Sequence, residues 1–135
     1  MTLDISRTLE ARSDQINAAD LIAPRTITIT DITKGTPEQP VNVTTAEYGP
    51  AKVYKPSKSM RRVLATVWGT DASVLIGRQL TIYCDPDITF GKDRVGGIRI
   101  SHVSHIDKPA DILLTVSRGK RTTFTVQPLP TLTLT

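Results

Sequence analysis

Between Glu47 and Asp71 the chain carries Lys52, Lys55, Lys58, Arg61 and Arg62 and no carboxylate. Cations without internal neutralisation set up a local field suited to a polyanion, and at this spacing they can follow successive phosphates. Tyr54 lies among them, and a ring interleaved with cations can stack on a base. Arg78, Tyr83, Phe90 and Arg99 fall at outward or turn positions of the strands that follow, where cations and rings would alternate on one face. A third group, Arg118, Lys120 and Arg121 with Phe124 nearby, marks the tip of a hairpin and would act as a second clamp. Each group has a plainer alternative. A charged run also serves as a solvated face, and Tyr83 and Phe90 would fit equally well as caps on the core.

Other chemistry is poorly served. His102 and His105 are three apart, so on a strand their rings point to opposite faces and cannot share a metal without a bulge. Asp85, Asp87 and Asp93 cluster loosely around turn residues, with no positioned lysine after them to complete a metal-dependent nuclease centre. Gly96-Gly97 is too short for a phosphate-cradling loop. The lone Cys84 excludes an intrachain disulfide and, on an inward strand position, lacks an activating base. The expectation is a protein that is not an enzyme and takes no cofactor or metal.

The charge is uneven. Its net value is +4 over 135 residues, yet Asp4, Glu10, Asp14 and Asp20 outweigh Arg7 and Arg12 in the first 22 residues. Beyond Asp111 the chain bears only cations. Basic patches on a nearly balanced body favour nucleic acid over membrane adhesion. No apolar run approaches the ~20 residues a bilayer needs, and the first residues lack a basic-then-apolar leader, so the expected compartment is a cytoplasm.

Positioning these residues requires particular elements. Met60, Val63, Leu64, Val67 and Trp68 recur at helical spacing, which predicts a helix capped by Ser57 or Ser59 and ended by Gly69. Its apolar stripe would bury Trp68 and leave Lys58, Arg61 and Arg62 in solvent. Residues 26–30 and 40–45 alternate and read as a hairpin, followed by a short extended piece at 51–55. Residues 80–84, 88–90, 98–102, 112–117 and 122–126 read as further strands, with Ile98 and Ile100 inward and Arg99 outward. A helical turn is expected within 71–77. Residues 1–24 form a short helix or arm anchored by Leu3, Leu9, Ile16, Leu21 and Ile22, residues 25–127 the main domain, and residues 128–135 an edge strand or tail.

Six or seven short strands with one internal amphipathic helix between the third and fourth predict a mainly β fold, a small barrel of the oligonucleotide/oligosaccharide-binding (OB) type. The blocks Pro24–Ile29, Lys55–Leu64, Ile76–Tyr83, Phe90–Gly91 and Val95–Ser101 resemble a family of single-stranded DNA-binding proteins from tailed bacteriophages and prophages, over roughly residues 13–108. The most distinctive part is the helix followed by Ile-Gly-Arg-Gln-Leu-Thr-Ile-Tyr. That resemblance implies an OB barrel, a role in DNA replication and recombination, and the host cell's cytoplasm. The partners expected are single-stranded DNA or RNA, a phage recombination or replication protein, and a second copy of the chain. Two other classes stay open at this point. One is a protein-interaction module, either a recombinase accessory factor or an inhibitor of a host defence enzyme. The other is a structural phage protein that adds a strand to its neighbour.

Overall fold

The computed structural model describes residues 15–86, 89–90, 93–94, 97–117 and 119–129, and for 89–90, 93–94, 115–117 and 120 the backbone alone. The expectations placed on Leu3, Leu9, Asp87, Gly91 and Arg118 lie outside the described residues, as do those on the side chains of Phe90 and Lys120. The strands are β1 (Arg25–Lys34), β2 (Val41–Thr45), β3 (Gly49–Tyr54), β4 (Gln79–Asp85), β5 (Thr89–Phe90), β6 (Asp93–Arg94), β7 (Gly97–Val103), β8 (Ala110–Ser117) and β9 (Lys120–Pro128). Two helices, α1 (Lys58–Trp68) and α2 (Ala72–Leu75), separate β3 from β4.

The fold is mainly β. One seven-stranded sheet runs in the order β3-β2-β1-β4-β7-β9-β8, with β5 and β6 as a separate ribbon. Strand β1 spans two partners: its first half pairs with β4 and its second half with β2, with an irregularity in the latter ladder between Ile29 and Asp31. The expected hairpins β1–β2 and β8–β9 are both antiparallel. The barrel expectation needs correction, because the sheet does not close: among the described residues no ladder joins β3 to β7 or β8. The outer side of β3 is met instead by the arm, through a parallel bridge from Gln15 to Val53 and an Ile16 N–H donating to the Val53 carbonyl at 2.8 Å.

The core follows the alternation of the strands. Ile27, Ile29, Leu80, Ile82, Ile100 and Val103 are wholly buried against the α1 stripe of Met60, Val63, Leu64 and Trp68. Val67, expected in that stripe, is only partly buried. Helix α1 starts as its sequence dictates, with the Ser57 hydroxyl accepting from the Met60 N–H at 3.3 Å. It stops at Gly69, whose φ of 88° and ψ of −176° lie in a region reserved for glycine. The Trp68 indole N–H donates to the Ser104 carbonyl at 2.8 Å and ties the end of α1 to the bend that follows β7. In the arm, Ile16 and Leu21 are anchors, but Ile22 is fully exposed and is not one. Among the described residues no helix is long and apolar enough to cross a membrane.

Candidate nucleic-acid interface

Where the barrel seam would have closed, the molecule has a cleft of about 780 Å³. Gln15, Ile16, Asn17 and Ala18 of the arm form one wall, Gly97 and Ile98 at the start of β7 another, and residues 55–58 with Arg61 the third. Three of the cations singled out by sequence therefore converge: Lys55, Lys58 and Arg61 face a common concavity with a single carboxylate, Glu38, among the described residues. Lys58 is exposed on the first residue of α1. Arg62 is exposed one position beyond Arg61 on the same helix.

Two features make this wall electropositive beyond the count of its side chains. The first turn of α1 holds no acidic residue, so the positive end of the helix dipole adds to Lys58 and Arg61 rather than being answered by a carboxylate. Arg61 is held in place, its Nη1 donating to the Pro56 carbonyl at 2.9 Å. Its remaining N–H groups are left for another acceptor, since no carboxylate among the described residues forms an ion pair with it. Fixing the guanidinium lowers the entropy lost on binding.

The other expected residues divide. Lys52 sits on β3 but its ammonium is engaged by Asp20 of the arm at 3.1 Å. The Asp20 carboxyl is held below the ordinary carboxylate range, chiefly by the Asn17 backbone N–H and then by Lys52. Tyr54 is not the outward ring that alternation with the lysines suggested. It is 1% exposed, because β3 turns that position under α1, and burial pushes its phenol well above the usual value. Arg78 lies over the Trp68 ring, 5.5 Å from its centroid, away from the cleft.

Tyr83 and Arg99 are brought together, as opposite partners in the β4–β7 ladder. Arg99 is not free, however. Its Nε pairs with Asp85 at 3.1 Å and its guanidinium lies 5.4 Å from the Phe124 centroid. Partial burial and then the Asp85 charge raise the Tyr83 phenol, while Arg99 opposes the shift. This half-buried group of rings around a neutralised cation lies on the β4–β7–β9 part of the sheet. Arg121 is exposed on β9.

Sequence reasoning missed the arm's share in the site. Gln15 and Asn17 supply a polar wall, and the Gln15 Oε1 is buried without a hydrogen-bond partner among the described residues. Their only signal was a polar pair between the apolar anchors of a weakly periodic segment. It missed the contact of Arg25 with Tyr48 as well, 4.5 Å from guanidinium to ring centroid. Only His102 lies on a strand; His105 sits in the bend after β7 with a φ of 63°, and each Nδ1 meets a neighbouring hydroxyl, Ser101 for His102 at 2.8 Å and Ser104 for His105 at 2.6 Å. Compared with protein-family models, curated proteins and solved structures, the chain matches none.

Proposed function

We propose that this protein binds single-stranded nucleic acid, DNA in the first instance, along the cleft bordered by Lys55, Lys58 and Arg61, and that it acts by coating its ligand rather than by cutting it. The observation that carries the reading is the convergence of those three cations on one cleft at the start of α1, whose first turn has room for a stabilising acidic residue and holds none. A concave site suits a flexible strand whose phosphates can turn inward, and disfavours a stiff duplex. With Tyr54 buried, affinity rests on phosphate contacts more than on stacking, so binding is salt-sensitive and weakly dependent on sequence. Replication and recombination in a phage-infected cell are the setting that the sequence resemblance implies.

The test is fluorescence anisotropy of a labelled oligo-dT, titrated at several potassium chloride concentrations and challenged with unlabelled oligo-dT or duplex. Contacts from three cations give a log–log salt slope of about −2, at roughly 0.7 per phosphate on single strands. Oligo-dT is expected to compete better than duplex of equal length. Equal competition reduces the activity to nonspecific electrostatics, and a flat salt dependence ends the proposal. One observation favours a second reading. The outer edge of β8 carries no ladder among the described residues, and Leu113 on it is 52% exposed. Stable multimers with no DNA affinity would assign the protein to strand-adding assembly instead.

A further inference from the structure

Behind the cationic wall, between β1–β2 and the two helices, lies a second and different concavity. Its volume is about 210 Å³ and its lining is almost entirely apolar, with Ile29, Val43, Leu75 and Leu80 at the base and Leu64 of α1 above. An engineered apolar cavity of roughly 150 Å³ accepts benzene, so this one has room for a somewhat larger body. Three polar side chains interrupt the lining, Thr70 at its edge and two that bear on a ligand. Tyr54 forms part of it, and its hydroxyl is buried with no hydrogen-bond partner among the described residues. Arg61 lines both this groove and the cleft, and spends one donor on Pro56.

The chemistry of the lining selects among ligands. A nucleobase carries several edge donors and acceptors, and one hydroxyl would leave most of them unpaired in an apolar setting. A plain hydrocarbon would leave the Tyr54 hydroxyl unanswered. Among the described residues no carboxylate lines the groove, so the fixed guanidinium favours a negative end. We infer that this groove binds a small amphiphilic monoanion, an apolar body ending in a carboxylate, with the body against the sheet and the carboxylate toward Arg61. The inference does not depend on the nucleic-acid reading.

Such a body could be aliphatic or aromatic, and isothermal titration calorimetry of the full chain with octanoate and with 3-phenylpropionate separates the two. Saturable 1:1 binding of either acid is expected, and the arm that binds names the source. Ala65 lines the groove, so Ala65→Leu should fill it and abolish the binding while thermal unfolding stays cooperative. If that variant does not fold, Ala72→Leu at the groove's other wall gives the same test. Octanol should bind at least tenfold more weakly than octanoate to the wild type, and Tyr54→Phe should weaken octanoate several-fold. Lys58 does not line the groove, so Lys58→Glu should leave octanoate binding unchanged even where it abolishes DNA binding. Heat with neither acid, binding that persists in a folded filled variant, or equal affinity for octanol and octanoate would overturn the inference.

Discussion

Lys58→Glu separates the requirements of the fold from those of the site. Lys58 is the first residue of α1, exposed, in a turn that holds no acid. A helix N-terminus behaves as about half a positive charge, and a charged side chain there is worth ~0.3–1 kcal/mol in either direction. Exchanging a cation for an anion counts that effect twice, so the variant should gain about 1 kcal/mol and melt roughly 3 °C higher. Binding should move the other way. At ~0.1 M salt and a slope of 0.7, one phosphate contact is worth about fivefold, and a reversed charge costs tenfold or more. The assays are urea unfolding followed by circular dichroism, and anisotropy with labelled oligo-dT across a salt series, where the slope should flatten by about 0.7. A more stable variant with undiminished affinity would place the ligand elsewhere. A less stable one would mean that Lys58 makes a favourable contact which the helix dipole argument omits.

Three further outcomes can be checked on single variants. Tyr54→Phe removes a buried hydroxyl that lacks a partner, so ligand-free protein should become more stable by about 1 kcal/mol in urea unfolding, and a loss of stability would show that the hydroxyl is bonded. Trp68→Phe leaves the Ser104 carbonyl without its indole donor and shrinks a core side chain, which should cost about 2 kcal/mol by the same measurement. Asp20 has a folded-state pKa below its ordinary 3.8, so its contribution to stability is full above that value and is lost as pH falls through the depressed one. Asp20→Asn should therefore show a shallower acid-side decline in urea midpoint than the wild type, by a small amount for so exposed a group, and superimposable pH profiles would refute the Asp20 contacts.

The parts of this fold that repeat locally were legible from sequence. The α1 stripe, the Ser57 cap, the Gly69 stop and the two hairpins each rest on spacing over a few residues, and each is found, with Val67 alone of the stripe only partly buried. Closure was not legible, because whether β3 meets β7 depends on what else competes for its outer side, and the competitor is a segment with little periodicity. Tyr54 shows the same limit within the site. Alternation around Lys52 and Lys55 placed it outward with the charges, but a strand that passes beneath a helix can bury the face its lysines flank. Arg78 and Arg99 were expected at outward or turn positions with their charges available, yet Arg78 lies over Trp68 and Arg99 is taken up by Asp85 with Phe124. Such pairings depend on neighbours distant in the chain.

The bridge from Gln15 to Val53 is parallel and links the arm to a strand made well after it. As the polypeptide leaves the ribosome, residues 15–18 must wait, with Ile16 uncovered, until the β1–β2–β3 meander exists to receive them. The same order runs backwards in the finished protein. Among the described residues the arm is held by one bridge, one backbone hydrogen bond, the Lys52–Asp20 pair and the buried Ile16 and Leu21, and it should open before the ladders of β1, β4 and β7 do. The Ile16 amide should then exchange with deuterium faster than those of the central strands. Each opening also removes one wall of the cleft and frees Lys52, so a segment made before the strand it docks on sets how wide the cationic cleft stands open.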